Sequence, residues 1–426
     1  MIRSTRREFV KRSTIYSFGF ACLPLVGRAQ TTRSPGEKLV TAVMGLGRGF
    51  DHVKALQQIS NADIAYICDI DADRVAHVQK TGFASAARPP KGVRDFRRIL
   101  EDKDVDAVFI AAPNHWHAPA AMLACAAGKH VYVEKPGSHN GREAEWIVAA
   151  ARKYKRVVQM GNQRRSWPGI LEAVQKLRDG AIGEVRSART WYVNARASIG
   201  RGRPVPVPAN LDYSLWQGPA PERPYVDNLV HYNWHWRWHW GGGEIANNGP
   251  HAFDLARWGL GVELPTRITC NGGRYHFEDD QETPDTSLAT VDFGNKALIW
   301  DGSSCHPRRN ENLPFVAWYG DGGTLANYGS GYKIFDVKGV QTGEGSGPGG
   351  EKGHIENFLR SIRGEARPNS EIAVGQTSTL LCHLANIAYR TGHTIHFDPK
   401  GRKLIGDPEA EKLWGREYRP GWEPVV

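Results

Sequence analysis

The feature that most constrains the fold is a short apolar run that ends in closely spaced glycines and continues into an amphipathic segment. Within EKLVTAVMGLGRGFDHVKALQQI, residues 37–59, the run LVTAVM is strand-like, and apolar residues recur at helical spacing downstream. A strand, a glycine turn and a helix in this order direct backbone amides and a helix N-terminus toward a pyrophosphate. We therefore predict that the turn binds a dinucleotide through Gly45, Gly47, Arg48, Gly49 and Phe50.

An acidic residue at the end of the next strand favours NAD over NADP. The strand ADIAYICD (62–69) ends in Asp69, 24 residues after Gly45. A carboxylate there accepts hydrogen bonds from a ribose 2′-OH and repels a 2′-phosphate. The glycine pattern is irregular, because Phe50 stands at the third glycine position and Gly49 precedes it. A plain β-turn is therefore the alternative interpretation of the turn.

Strands and helices then alternate along the chain. We predict strands over 105–113, 129–136 and 156–166, with helices over about 118–127 and 141–154. Repeated β-α-β units predict a Rossmann-type, doubly wound parallel sheet whose ligands gather at the carboxyl ends of the strands. The segments PNHWH and EKP both follow such ends.

The N-terminus has the pattern of an export signal. Arg6 and Arg7 are followed by Phe9 and Lys11, then by an apolar segment (13–27) too short to span a bilayer. We predict a signal peptide over residues 1–29, recognised by the twin-arginine export machinery, and a periplasmic or otherwise exported protein that is exported after folding. A disordered basic tail is the alternative. We expect no stable membrane span elsewhere.

Much of the positive charge belongs to that segment. The chain has a formal net charge of +10, of which residues 1–30 carry half, and no basic run follows. The charge therefore does not favour nucleic-acid binding. Five cysteines remain beyond the signal, without paired spacing, which favours free buried thiols.

Several longer segments resemble the Gfo/Idh/MocA oxidoreductases, especially their exported members. They are DAVFIAAPNHWHAPAAMLACAAGKHVYVEKP (106–136), LWQGPAP (215–221), GGGEIANNGPHAFDLARWGLG (241–261), YGDGGTL (319–325) and HLANIAYRTG (383–392). The resemblance implies a C-terminal α+β domain with an open, mostly antiparallel sheet, and a homo-oligomer, dimeric or tetrameric. We expect an NAD-binding domain over 37–160, a substrate and oligomerisation domain over 161–350, and C-terminal helices with a tail over 351–426 that packs back. Residues 339–353 are predicted to be a flexible connection.

The resemblance also implies where the chemistry lies. Lys135 of the EKP segment is expected beside nicotinamide and substrate, oriented by Glu134. In NNGPHAFD (247–254), His251 matches the family's histidine, whereas Asn247 replaces an aspartate and can only hydrogen-bond. The base is therefore His251 or Lys135. Asp254 is either a third catalytic residue or a helix-start carboxylate.

Other polar residues complete the predicted site. Pro113, Asn114, His115 and His117 are expected near the nicotinamide, and Gln163 and Arg164 near the substrate, with structural roles as the alternative. The run NWHWRWHW (233–240) alternates with period two, which predicts an extended segment. We expect Trp236 and Arg237 to bind substrate, some tryptophans to serve as packing, and no metal to be bound.

An exported enzyme has no external pool of NAD. We therefore expect tightly bound NAD that is reduced and reoxidised within one cycle, with a sugar, polyol or glycoside as substrate. The net reaction is either a redox exchange between sugars or a hydrolysis or elimination that passes through a transiently oxidised ring hydroxyl. A non-catalytic sugar-binding protein is the alternative from another class.

Overall fold

The computed structural model describes residues 37–424 and 426. The predicted signal peptide lies outside these residues. Within the described part of the chain, none of the helices combines the length and the apolar character needed to cross a membrane.

The first sheet is parallel and has six strands, which confirms the predicted doubly wound arrangement. Its order is β3-β2-β1-β4-β5-β6. The strands are β1 Leu39–Met44, β2 Ala62–Cys68, β3 Lys91–Val93, β4 Ala107–Ile110, β5 His130–Val133 and β6 Val158–Met160. The apolar runs of β4 and β5 are buried because helices cover both faces of the sheet. Successive strands are added to one side of the sheet up to β3 and to the other side from β4, and folds of this type form a ligand crevice at this switch point between β1 and β4.

The helices of this half are α1 Gly49–Gln57, α2 Ala72–Gly82, α3 Arg97–Glu101, α4 Asn114–Ala126 and α5 Gly141–Lys153. Helix α4 begins four residues before the predicted start and contains Pro119. A proline lacks the amide that would bond to the carbonyl four residues earlier, that of His115. Instead, Arg416 of the C-terminal tail donates a hydrogen bond to this carbonyl at 2.7 Å. The tail thus gives the His115 carbonyl the hydrogen bond that Pro119 cannot donate, which allows the proline to lie inside the helix rather than at its start.

The second sheet has ten strands in the order β14-β13-β12-β11-β7-β10-β9-β8-β15-β16. All of its pairings are antiparallel except that of β7 with β10, in agreement with the predicted open, mostly antiparallel sheet. The strands are β7 Val185–Val193, β8 Arg267–Gly273, β9 Thr286–Asp292, β10 Ala297–Ser303, β11 Val316–Gly320, β12 Gly323–Tyr328, β13 Gly331–Asp336, β14 Gln341–Gly345, β15 Ile395–Asp398 and β16 Lys403–Leu404. The prediction of a flexible connection over 339–353 is wrong in part, because β14 pairs with β13.

The remaining helices are α6 Pro168–Arg178, α7 Tyr213–Gln217, α8 Gly243–Asn247, α9 Gly249–Leu260, α10 Lys352–Ile362, α11 Ile372–Thr391 and α12 Pro408–Lys412. Helices α9 and α11 pack together against the second sheet, over a core that includes the fully buried Trp300 and Trp318. The tail reaches back to the first half, where Trp414 lies against Gly141 and Tyr418 donates a hydrogen bond to Glu143 at 2.8 Å.

Candidate active site

A cleft of about 600 Å³ opens where β1, β2, β4 and β5 end, between the parallel sheet and the second half of the chain. This volume lies within the range of small-molecule and cofactor sites. Ten of the predicted site residues or their neighbours in the motifs border it: Gly45, Gly47, Arg48, Asp69, Pro113, Asn114, His117, Glu134, Lys135 and Asn247. The predicted dinucleotide turn and the predicted catalytic segments therefore meet at one cleft.

The glycine turn shows why its irregular spacing is tolerated. Gly45 has φ +86°, and a Cβ there would lie 2.5 Å from the carbonyl oxygen of Ala111, so only glycine fits. A Cβ on Gly49 would lie 2.8 Å from Val43 Cγ1 in β1. Gly49 thus allows the close helix–strand approach that the third glycine of the motif usually provides.

The side chain of Phe50 lies outside the cleft, although the Phe50 amide donates to the Gly47 oxygen within the turn at 3.4 Å. Its ring packs edge-on against His77 of α2, with 6.1 Å between ring centroids, and it does not border the cleft. The side chain lies on the face of α1 that meets the next helix, which a count of residues from Gly45 does not reveal.

Asp69 lies at the end of β2 with its carboxylate facing the turn. Its oxygens accept hydrogen bonds from the amides of Leu46 at 2.7 Å and Asp71 at 3.0 Å. Burial raises the pKa of Asp69, although the two amides oppose the shift. The carboxylate is thereby held in one orientation at the edge of the cleft.

Arginines that the sequence analysis did not single out border the same part of the cleft. Arg74 and Arg94 do so together with Arg48, which forms ion pairs with Asp51 and Glu351. Positive charge beside a glycine turn and a helix N-terminus suits a pyrophosphate. The close backbone approach at Gly45, the acidic residue at the end of β2 and these arginines together fit NAD.

Lys135 meets the second predicted segment directly. Its Nζ donates hydrogen bonds to the backbone oxygen of Asn247 at 2.8 Å and to the Oδ1 atom of the same residue at 3.2 Å. Burial lowers the pKa of Lys135, while the charge of Glu134 opposes the shift. Asn247 therefore acts as an acceptor that positions the lysine.

Glu134 connects Lys135 to a buried set of polar groups. Its carboxylate accepts from the Lys135 amide at 3.1 Å and from Gln163 Nε2 at 3.1 Å, and its Oε1 lies 3.2 Å from His52 Nε2. Burial disfavours the charged form, but the His52 imidazole and the charge of Arg48 outweigh it and lower the pKa of Glu134. Gln163, predicted to bind substrate, instead lies behind Glu134 and outside the cleft lining.

His52 was missed by the sequence analysis. It is fully buried on α1, with Nδ1 3.0 Å from Glu351 Oε2 and Nε2 facing Glu134. The sequence does hint at a polar role for His52, because this histidine interrupts the otherwise apolar buried face of α1. Only the fold brings Glu351, almost 300 residues away, to its other side.

The structure gives different surroundings to the three residues predicted from the PNHWH segment, Asn114, His115 and His117. Asn114 and His117 border the cleft. Both ring nitrogens of His117 contact backbone oxygens, Nδ1 that of Pro136 at 2.5 Å and Nε2 that of Ala112 at 2.6 Å, which ties the ends of β4 and β5 together. His115 does not border the cleft, and its Nε2 lies 2.9 Å from the Trp216 oxygen.

His251 lies close to the cleft without lining it. Burial, followed by the charges of Lys135 and Arg164, lowers the pKa of His251 well below its usual value, so the ring is neutral near pH 7. Among the described residues, no group forms a hydrogen bond with its buried Nδ1 atom.

Asp254 does not share the cleft. Arg165 binds both of its oxygens, Nε to Oδ2 at 2.7 Å and Nη2 to Oδ1 at 2.9 Å, and Ser378 donates to Oδ1 at 2.6 Å. Asp254 is 1% exposed and Arg165 is 6% exposed. Both oxygens serve a buried ion pair, which argues against the predicted catalytic role. The helix-start alternative is wrong as well, because Asp254 lies inside α9 rather than at its beginning.

Arg164 also points elsewhere than predicted. Its Nη1 donates to the backbone oxygen of Gly329 at 3.0 Å, and its guanidinium lies 4.0 Å from the ring centroid of Phe315. Burial lowers the pKa of Arg164 to about 10. These contacts hold the arginine against the second sheet, outside the cleft lining.

The tryptophan-rich run is not extended. Asn233–Trp236 form a 3₁₀ turn, closed by local backbone hydrogen bonds such as that from Arg237 to the Trp234 oxygen at 3.2 Å. The side chains that border the cleft are those of Trp234 and His235. Trp236 is buried beneath Arg196, and Arg237 pairs with Asp280 at 3.0 Å, so neither of these predicted substrate-binding side chains borders the cleft.

The wall opposite the parallel sheet comes from residues that the sequence analysis did not name. Arg196 borders the cleft and forms an ion pair with Glu244 at 2.6 Å, and it donates to the hydroxyl of Tyr232 at 2.8 Å. Tyr192 and Asn248 border the cleft beside them. Hydroxyl, amide and guanidinium groups next to aromatic rings can bind a polyhydroxylated molecule.

Fold and cleft together define an oxidoreductase class with a dinucleotide-binding half and a second half that closes over it. Residues 39–162 match the oxidoreductase family model described as an NAD-binding Rossmann fold, and residues 190–424 match the family's C-terminal alpha/beta domain. The chain belongs to the Gfo/Idh/MocA family of NAD-dependent oxidoreductases.

Individual relatives are distant. The uncharacterized oxidoreductase YrbE of Bacillus subtilis is 28% identical over 62% of this chain, and the chain spans 66% of YrbE, just under two thirds. A glycosyl hydrolase family 109 protein of Parabacteroides distasonis is 23% identical over 81% of this chain and 77% of its own length. Aldose-aldose oxidoreductase of Caulobacter crescentus, solved with glycerol, has a TM-score of 0.64 at 19% identity, over 85% of this chain and 100% of that one.

Replacing Asp69 tests the predicted preference for NAD. We expect Asp69→Asn to lower the ratio of NAD to NADP affinity by about tenfold or more, because a charge that favours a ribose hydroxyl and repels a 2′-phosphate is lost. The amide oxygen still accepts one backbone hydrogen bond, which limits the damage to the turn. Both affinities are measured by titration calorimetry on protein freed of nucleotide, with the exposed Asp73→Asn as the matched control. An unchanged ratio would contradict the assignment of Asp69.

Proposed function

We propose that this chain is an exported oxidoreductase that holds NAD tightly and acts on a sugar, polyol or glycoside, with the cofactor recycled within one catalytic cycle. The observation that carries the proposal is the contact of Lys135 with Asn247, which joins the two predicted catalytic segments beside a dinucleotide cleft. The twin-arginine pattern at Arg6 and Arg7 supports export after folding. A compartment without a nicotinamide pool then favours a cofactor that is retained.

The substrate class is supported by the wall of the cleft and by the relatives. Tyr192, Arg196, Tyr232 and Asn248 offer hydroxyl, guanidinium and amide groups, while Trp234 and His235 offer rings for stacking. The similar proteins include an aldose-aldose oxidoreductase and a glycosyl hydrolase family 109 protein. Both names point to carbohydrates. The cleft does not require a negatively charged substrate, because Arg196 is already paired with Glu244.

The residues of this chain can manage the substrate proton. NAD, when bound, supplies a hydride acceptor. Lys135 lines the cleft and burial lowers its pKa, so a larger fraction of the amine is neutral and able to accept a hydroxyl proton than for an ordinary lysine. Asn247 orients Lys135, and Glu134 remains ionised behind it. His251, neutral but outside the lining, is assigned a supporting position beside the base.

A second candidate is an NAD-dependent glycoside hydrolase or lyase that passes through a transiently oxidised ring hydroxyl. The similarity to the glycosyl hydrolase family 109 protein favours it, because that match extends over 81% of this chain. The two candidates share the cofactor and the base and differ in the fate of the oxidised sugar.

Product analysis distinguishes them. Protein exported by the twin-arginine route is purified and incubated with aldoses, polyols and aryl glycosides, without added NAD. A lactone together with a polyol supports redox exchange, and a cleaved glycoside without net redox change supports the second candidate. Turnover only with excess soluble NAD would overturn retention and recycling in both.

The pH dependence follows from the lowered pKa of Lys135. Because the neutral amine is the base, we expect kcat/KM to rise with pH and to level off above this pKa. The rise should lie below about pH 10.4, the ordinary value for lysine. A pH–rate profile of wild type checks the prediction. A rate that falls over this range would assign the opposite role, a proton donor, to the residue that titrates.

A further inference from the structure

Three potential metal ligands meet at one edge of the second sheet, away from the cleft. His276 follows the end of β8, Asp285 precedes β9, and Cys305 follows β10. Antiparallel pairing brings these three strand ends together. One ligand atom from each residue lies within 4.8 Å of the other two, and none of the three residues borders the cleft.

The distances approach those of a tetrahedral zinc site. Zinc bonds of about 2.0–2.3 Å to nitrogen, oxygen and sulfur place ligand atoms about 3.3–3.8 Å apart. His276 Nδ1 and Asp285 Oδ1 are separated by 3.4 Å, which fits without movement. Cys305 Sγ lies within 4.8 Å of both atoms, and rotation about its χ1 bond changes these separations.

The carboxylate is held in place by its surroundings. Asp285 Oδ2 accepts from the amides of Tyr275 at 2.7 Å and His276 at 3.1 Å, and Oδ1 accepts from the Thr286 hydroxyl at 2.9 Å. Hydrogen bonds of this kind orient metal-binding carboxylates. The nearby Arg274 is engaged by Asp279 at 2.5 Å, so it does not neutralise Asp285 through an ion pair of its own.

Cys305 is more exposed to solvent than the other described cysteines. Of the five cysteines within the described residues, Cys305 alone is partly exposed, and the other four are buried. A thiol that solvent reaches, beside an imidazole and a fixed carboxylate, is accessible to an incoming ion.

We propose that His276, Asp285 and Cys305 form a binding site for a divalent cation of the zinc type, with a fourth position left to water. Binding replaces the thiol proton, which leaves to solvent, and forms a metal–sulfur bond without any redox change. The site links the loop 274–285 to the end of β10. The backbone oxygen of the adjacent Ser304 accepts a hydrogen bond from the Arg196 amide at 2.8 Å, so the ion would also restrain the segment that carries the cleft wall. This inference does not rest on the proposed function.

The test uses the full chain without an affinity tag, dialysed against chelator and then titrated with Zn²⁺ and Co²⁺. We expect one ion per chain at this site and, with Co²⁺, a thiolate-to-metal charge-transfer band in the near ultraviolet. His276→Ala and Cys305→Ser should each weaken binding at least tenfold, and Cys305→Ser should also remove the band. His306→Ala, which alters the exposed histidine next to Cys305, is the matched control and should bind as wild type does.

Circular dichroism and thermal unfolding of each metal-free variant show whether it has folded. If a variant fails to fold, Cys305→Ala and His276→Gln replace it in the same titration. Equal Zn²⁺ affinity in wild type, His276→Ala and Cys305→Ser would overturn the proposal. So would a wild-type protein that binds no Zn²⁺, or a Co²⁺ band that persists in Cys305→Ser.

Discussion

Replacing Lys135 by methionine is expected to lower kcat by about 10²- to 10⁴-fold while NAD remains bound. Methionine keeps most of the apolar stem but removes the amine that accepts the substrate proton. The loss should appear in the rate at which substrate reduces the bound nicotinamide, measured by absorbance in a single turnover. Nicotinamide content per chain, determined after denaturation, should equal that of wild type.

The matched comparison is His251→Gln, since both residues were candidates for the base. Lys135 lines the cleft and contacts Asn247, whereas His251 lies behind the lining. We therefore expect the smaller loss for His251→Gln, and the pH dependence of kcat/KM should persist in it but disappear in Lys135→Met. A larger loss in His251→Gln, with Lys135→Met retaining more than a tenth of wild-type activity, would transfer the role to the histidine.

Replacing Asp254 by asparagine is expected to lower the free energy of unfolding by about 3–5 kcal/mol. The change removes the charge that compensates Arg165, which is 6% exposed and cannot recover its hydration in the folded state. Ser378 would also lose its acceptor or share it with the amide. Denaturant-induced unfolding, followed by circular dichroism, measures the change.

Asp321→Asn provides the contrast, because its pair with Arg186 is exposed and surrounded by water. Its unfolding midpoint should stay close to that of wild type. If Asp254→Asn were as stable as wild type yet inactive, the carboxylate would have a direct chemical role and our structural assignment would fail.

The parts of the site that follow from local patterns could be predicted. The hydrophobic pattern of the sequence predicts the strand Leu39–Met44 and the strand that ends at Asp69. Backbone sterics explain the turn between them, because only glycine fits at position 45. The EKP and NNGPH segments were found through motifs, and the fold brings Lys135 and Asn247 into contact.

The residues that could not be predicted owe their roles to partners distant in sequence. Arg237 was expected at the substrate but is held by Asp280, 43 residues away. The alternating pattern of its segment was overridden by local turn hydrogen bonds that satisfy the backbone. Arg196 forms part of the cleft wall because the segment after β7 passes close to Glu244 of α8, and no motif marks Arg196 in the sequence.

The most direct test of the central claim is the nicotinamide content of protein recovered from the periplasm after twin-arginine export. The protein is passed through a desalting column and denatured, and the released nucleotide is identified and quantified. We predict close to one NAD(H) per chain, retained through desalting and reduced in place when a sugar, polyol or glycoside substrate is added. Periplasmic protein that contains no nucleotide and acquires activity only in excess soluble NAD would contradict the account.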